Sequence, residues 1–352
     1  MLYIVIAVIL FGLLIAIHEF GHFSVAKLCG IQVNEFSIGM GPLLLHKQGK
    51  ETLYSLRLLP IGGYCAMEGE DEESDNPRAF GNASGWKQFL VLIAGSAFNF
   101  LAGLLILLCL YSSVTSYATS TITGFMDGFP CEGEDMLMVG DEILSVNGKA
   151  VLLSGDISTI LSLSDEDTVD LVVRRDGEKV KLNNLPLTLQ EYEVDGETVW
   201  RYGLYLGVEE ATLPVRLRNG FYSAVNFVRT VWWSLEMLFT GDAGISDLSG
   251  PIGIVNTMSE VGQASATMLD AILNLLYFAA FIAINLSVMN LLPIPALDGG
   301  RVFFLLLNGL LYLVSRRRIP AKYEQYVHLA GMCALLLLMA VVALQDVYKI
   351  FV

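Results

Sequence analysis

Charge is scarce in this 352-residue chain: only 16% of its residues are charged, whereas 54% are hydrophobic. Soluble domains carry about a quarter charged residues, so a chain this apolar must bury much of itself in lipid, and the same composition excludes disorder. Cations are the scarcer sign, with 21 Lys and Arg against 36 Asp and Glu and a formal net charge of −15. A footprint on nucleic acid needs clustered Lys and Arg, so that class of partner is excluded. The five cysteines, Cys29, Cys65, Cys109, Cys131 and Cys333, include no close pair. Neither zinc-finger spacing nor a disulfide framework is expected from them. Histidine is rarer still, four in all, yet two of the four lie only four residues apart.

Long apolar runs are what the chain has in abundance. Four of them, approximately Leu2 to Ala26, Gln88 to Tyr111, Ala271 to Leu292 and Val327 to Leu344, suit a bilayer core of roughly 30 Å, which takes about 20 helical residues. The first contains His18, Glu19 and His22 and is followed by no small-residue cleavage site, so it is read as a retained helix and not a signal peptide. A shorter run, Val302 to Val314, is too brief to span alone and is expected to continue the third helix or pack beside it. The predicted order is a first span over 1–26, a loop region over 27–87, a second span over 88–111, a polar middle segment, a third span with its extension over 271–314, and a fourth over 327–345.

The charge is shared unevenly among these parts. Residues 1–110 sum to −3, residues 111–270 to −15 and residues 271–352 to +3, so the middle segment holds the whole excess and reads as a polar domain inserted between two membrane halves. Orientation follows from cations in short loops. Lys27, Lys47, Lys50, Arg57, Arg78 and Lys87 lie between the first two spans, and Arg301, Arg316, Arg317, Arg318 and Lys322 before the last. Both loops are expected on the cytoplasmic side, with both termini and the acidic domain outside. The acidic run Glu68 to Asp75 weighs little in that rule, and Lys349 counts mildly against it.

His18-Glu19-Phe20-Gly21-His22 is H-E-x-x-H inside an apolar helical run. At about 100° per residue, positions four apart share one helix face, as two metal-binding imidazoles require, and the carboxylate next to the first is free to act as a base. The pattern reads as the core of a zinc metalloprotease. The bland reading, in which the three groups merely cap a helix end and snorkel to the interface, is outweighed by the cost of carrying ionisable groups in a span. A catalytic zinc takes three protein ligands and keeps one position open. Asp298, in Asn290-Leu-Leu-Pro293-Ile-Pro295-Ala-Leu-Asp298-Gly299-Gly300, is the other conspicuous carboxylate at membrane depth. Asp-Gly also marks ordinary turns. Beside H-E-x-x-H in nearly charge-free spans, the third-ligand reading of Asp298 is preferred. Asn285 and Asn290, on the same apolar run, could bridge helices or contact a substrate backbone or oxyanion.

Taken together, HEFGH, FSIGMGPLLL, LLPIGGYCAMEGED, LSGPIGI at Leu248–Ile254 and NLLPIPALDGG resemble, in order and spacing, the bacterial site-2 proteases of the RseP type, which are zinc intramembrane proteases. The resemblance implies Zn²⁺ held by His18, His22 and Asp298, Glu19 as catalytic acid/base, and Asn285 and Asn290 in substrate handling. It implies a bacterial cytoplasmic-membrane enzyme whose partners are the lipid bilayer and single-pass substrates pre-trimmed by another protease, such as an anti-sigma factor or signal-peptide remnants. Val139 to Gly148 then looks like the signature strand and turn of a PDZ domain over 115–210. The fold expected is therefore a multi-pass α-helical membrane protein of four transmembrane helices, with a membrane-associated β-hairpin region and one inserted extracytoplasmic PDZ domain of the β-rich α+β kind.

Two further elements bear on the substrate. Ile31 to Met67 alternates apolar and polar residues around Gln48-Gly49-Lys50, as β-hairpins would. An exposed strand edge there could hold an unwound substrate segment, so proline at Ser55 or Leu56 is expected to cut turnover. Between 211 and 270 an amphipathic helix is expected over Asn219–Phe239, with Phe221, Val225, Val228, Trp232 and Leu235 as its apolar stripe and Trp232 and Trp233 at an interface. The rival from another class is a PDZ-bearing membrane scaffold with a structural or vestigial metal site, for which Glu19 would be dispensable.

Overall fold

The computed structural model describes all residues except 1, 71, 73, 164–167, 195, 243, 245, 246, 318 and 352, together with the backbone alone at 60, 61, 251, 321, 350 and 351. Arg318 and two members of the acidic run, Asp71 and Glu73, therefore lie outside the described residues. The chain divides into two compact units, residues 1–107 with 227–352, and residues 108–226.

The apolar runs become α1 (Leu2–Leu28), α2 (Gly85–Tyr111), α6 (Met268–Asn290), α7 (Asp298–Ser315) and α8 (Ala321–Phe351), with α4 (Leu213–Thr240) and α5 (Pro251–Ala264) leading into them; residues 108–111 of α2 and 213–226 of α4 belong to the second unit and the rest to the first. Five helices among the described residues are long and apolar enough to cross a membrane, where four runs were expected. The difference arises at Pro293 and Pro295. A proline cannot donate to the preceding turn, so α6 stops at Asn290 and Val302 to Val314 belongs to a separate 18-residue helix and does not continue the third.

α1, α5 and α6 share a core of Ala7, Leu14, Met258, Leu275, Ile282 and Ala283. The start of α5 is capped from α8: buried Asp346 accepts from the Gly250 and Gly253 N–H groups at 3.0 and 2.8 Å. A carboxylate at a helix N-terminus satisfies orphan donors and meets the positive end of the dipole. α4 extends six residues before its expected start, and its inward face is not the expected stripe. Asn219, Ser223, Ala224, Phe227 and Val231 are buried, whereas Phe221 and Trp232 stay 49% and 54% exposed. Small residues permit close approach between helices, which leaves the large apolar side chains on the exposed side.

Between α1 and α2, β1 (Val33–Gln48) and β2 (Leu53–Met67) turn at Gly49, as expected. Both strands bend so sharply that their parts pair twice. Phe36 lies opposite both Cys65 and Tyr54, and Ser55 opposite both Ser37 and His46. Ser55 and Leu56 are thus paired on either side and do not form an edge; the outer segments are 43–48 and 63–67. Lys27 and Arg78 both engage Glu51 at the turn, Arg78 at 2.7 Å. The Arg78 and Lys27 hydrogen bonds hold the Glu51 carboxyl down at about 2, well below its ordinary value.

The second unit is an antiparallel sheet in the order β10 (Leu204–Glu210), β3 (Ser116–Phe125), β4 (Glu142–Val146), β6 (Val169–Arg175), β7 (Glu178–Leu185), with β5 (Lys149–Ala150) beside β4, one helix, α3 (Ser154–Ser162), and a separate hairpin, β8 (Gln190–Val194) and β9 (Glu197–Arg201). The predicted Asn147-Gly148 turn is formed with both residues at positive φ, 47° and 73°, the backbone that tight hairpins demand. Asp141, fully buried, pairs with Arg175 through both carboxylate oxygens at 2.8 Å. Arg175 also donates to the Glu134 and Met136 carbonyls, so one guanidinium ties down the acidic loop before β4.

Candidate metal and catalytic site

His18 and His22 sit one turn apart on the buried face of α1, 8% and 7% exposed. Their helix lies close against α2: a Cβ on Gly21 would come within 2.6 Å of the Ala94 carbonyl oxygen, and one on Gly95 within 2.6 Å of His18 Cε1 and closer still to His22 Nε2. Only glycine leaves the imidazoles room there.

The third group arrives from the far end of the chain. Asp298 is the first residue of α7, where the helix dipole favours a carboxylate. The loop before it runs through Ala296 at φ 78°, a strained conformation for a residue with a Cβ, and is held by His328 of α8, whose Nδ1 accepts from the Ala296 N–H at 3.0 Å. One turn on, Arg301 reaches Glu70 at 2.6 Å and ties the start of α7 to the end of β2.

These elements bring His18 Nε2, His22 Nε2 and Asp298 Oδ2 together. The nitrogens are 3.2 Å apart, and Oδ2 is 3.1 Å from the first and 3.3 Å from the second. Ligand atoms about 2.0–2.1 Å from one centre at tetrahedral angles lie roughly 3.3 Å apart, so the triangle has the edges of a zinc site. Asp298 Oδ2 is buried with no hydrogen-bond partner, a costly state for a carboxylate oxygen unless a cation meets it. Two imidazole nitrogens and a carboxylate also form a donor set suited to zinc. Among the described residues no other side chain of metal-binding type joins the group, so a fourth position is left for water or substrate.

A cavity of about 180 Å³ adjoins the triangle, lined by Ile15, His18, Glu19, Asn99, Leu286 and Asn290. Glu19 also lies near β2, where a Cβ on Gly63 would be 3.4 Å from its Cγ. The Asn290 amide nitrogen is 3.5 Å from His18 Nε2. Asn285 is not among the lining residues: five positions put it about 140° round α6 from Asn290, so one face cannot present both. Asn99 is not legible in the sequence, because a single Asn in an apolar span carries no spacing signal of its own. A larger cavity, about 610 Å³, lies in the second unit among Phe125, Asp127, Glu191, Tyr192 and Tyr205, with no metal-type cluster at it among the described residues. Cys65, near Glu19, is buried, burial pushes its thiol up to about 12, and it does not join the cluster of His18, His22 and Asp298.

An H-E-x-x-H motif on a helix long and apolar enough to cross a membrane, joined by a distant aspartate, defines a class, the zinc metalloproteases that work within the bilayer. Residues 6–338 match the model of Peptidase family M50, and the chain belongs to that family as a site-2-type intramembrane protease. It is 35% identical to a protein of Clostridium acetobutylicum named as a candidate zinc metalloprotease, over 98% of this chain and 97% of the relative. A similarly named protein of Clostridium perfringens is also 35% identical, over 98% of each chain. The Regulator of sigma-W protease RasP of Bacillus subtilis is 27% identical over 98% of each.

Proposed function

We propose that this chain hydrolyses a peptide bond within or beside the transmembrane segment of single-pass membrane proteins, with His18, His22 and Asp298 as zinc ligands and Glu19 as general acid/base. The observation that carries the reading is the triangle of lone-pair atoms at zinc-site separations, one of them without another partner, beside a cavity lined by Glu19. Zinc bound there would polarise the scissile carbonyl and lower the pKa of water toward about 7. Glu19 takes the proton of the attacking water and hands it to the leaving amine. Asn290, which also lines the cavity, donates to the substrate carbonyl, and Asn285, round the helix, serves helix contacts. A helical substrate must unwind to expose its amides, and the outer segment 63–67, next to Glu19, is the edge on which an unwound stretch would pair.

The chain crosses the bacterial cytoplasmic membrane four times in this reading. At 18 residues α7 is about 27 Å long, short for the core, and Arg316 and Arg317 at its end favour the cytoplasmic side, so it does not cross. The unit at 108–226 is then extracytoplasmic, and its six-stranded antiparallel sheet with α3 and the Asn147-Gly148 turn suits the PDZ reading. Likeness to a protease named for regulating sigma-W favours a membrane-tethered regulator, such as an anti-sigma factor already trimmed by another protease, as substrate. A scaffold with a closed metal shell would need a fourth protein ligand, and the cluster has three.

The test compares zinc content and cleavage of a tethered single-pass reporter for wild type, Glu19→Gln and Asp298→Asn. Glu19→Gln should keep zinc and lose cleavage by about 10²-fold or more, whereas Asp298→Asn should lose both. Equal cleavage by all three refutes the assignment.

A further inference from the structure

Both imidazoles turn Nε2 toward the triangle, so in each the ring proton resides on Nδ1. A buried Nδ1–H needs an acceptor. For His22 the acceptor is the Val91 carbonyl of α2 at 2.8 Å. For His18 the nearest group is the carboxamide of Asn99, also on α2 and 1% exposed, whose Nδ2 is 3.5 Å from Nδ1. That orientation sets one N–H against another, while Oδ1 of the same amide is buried with no partner. Turning the carboxamide by 180° leaves its shape unchanged and cures both faults, and the two orientations are distinguished only by the bonds they make.

We propose that Asn99 Oδ1 accepts a hydrogen bond from His18 Nδ1–H and is the positioning residue that fixes the tautomer and ring plane of His18. The proposal rests on the zinc-ligand reading given above. α2 then supplies both outer partners of the histidine pair. Helix carbonyls point toward the C-terminus and side chains lean toward the N-terminus, so the Val91 carbonyl and the Asn99 side chain reach toward each other across Gly95. At Gly95 a Cβ would meet both rings, so the helix approaches the histidines most closely between its two hydrogen-bonding groups. Such outer partners orient a ligating imidazole and raise its basicity, and their loss costs about 10–100-fold in metal affinity.

The test measures zinc affinity by chelator competition, with kcat and KM on a transmembrane reporter, for the full chain in nanodiscs as wild type, Asn99→Leu and Asn99→Asp. Leucine matches the shape without an acceptor; aspartate keeps the acceptor and loses the amide donor. Asn99→Leu should bind zinc about 10–100-fold more weakly, and Asn99→Asp should stay within about threefold of wild type or bind more tightly. Unchanged zinc affinity in Asn99→Leu overturns the proposal whatever its activity, and so does an equal loss in both variants. A loss of kcat/KM in both with zinc affinity intact would instead make Asn99 a donor to substrate and likewise overturn it. The protease reading fails separately, if wild type neither holds zinc nor outpaces Glu19→Gln.

Discussion

Gly95→Ala adds one methyl group at the tightest point of the site. The new Cβ would meet His22 Nε2 well inside van der Waals contact and stand 2.6 Å from His18 Cε1 and 2.8 Å from His18 Nδ1, so α2 must back away or the rings must turn. Overpacking of this kind costs about 1–3 kcal/mol. Nε2 is the atom pointed at Asp298, and a turned ring no longer keeps its 3.3 Å edge of the triangle. If the strain is relieved at the imidazoles, zinc affinity falls by between about 5-fold and 150-fold. The assay is chelator competition on purified protein, with Gly309→Ala as control. Gly309 lies in α7 with open space around its would-be Cβ, and there alanine should leave zinc affinity unchanged and raise helix stability by up to about 1 kcal/mol. Wild-type zinc affinity in Gly95→Ala would show that α2 does not press on the histidines and would remove the steric argument for the glycine.

Two further outcomes concern the polar frame. Arg175→Ala strands the buried Asp141 carboxylate and frees the Glu134 and Met136 carbonyls, so local stability of the 108–226 unit should drop by about 3–5 kcal/mol, read as lost hydrogen-exchange protection at Ile143 and Val146; unchanged protection refutes it. Glu51 is held at about 2 against an ordinary 4.5, and a depressed carboxyl contributes its stabilisation above the ordinary value and loses it as pH falls through the folded one. The protection factor at Gly49, whose N–H donates to the Thr52 carbonyl, should therefore hold at pH 5 and above and decline from about 4.5 toward 2, and high salt should weaken it, because the pair is partly exposed; a flat profile refutes the link.

Much of the site is legible in the amino-acid order alone. His18, Glu19 and His22 can be read because helical spacing is local, and Asp298 because a carboxylate between prolines and glycines at membrane depth is rare. The stripe on α4 departs from expectation for a physical reason. Small side chains let a neighbouring helix approach closely, so Ser223 and Ala224 pack while Phe221 and Trp232 lie on the exposed side. The edge expected at Ser55 is paired instead, because alternation along a strand says nothing of how many neighbours the strand acquires. It could not reveal that 33–38 would take partners on both sides.

By itself the amino-acid order determined the apolar runs, the acid-rich segment between them and the H-E-x-x-H face, since each depends on neighbours within a few residues. Only the tertiary structure decided that Asp298 closes a triangle with residues some 280 positions earlier. The same holds for Gly95, which makes room for both rings, and for Asn99 rather than Asn285 lining the cavity. Those outcomes depend on which helices pack and at what rotation, and that is set by the summed fit of α1, α2, α6 and α7 rather than by any local pattern.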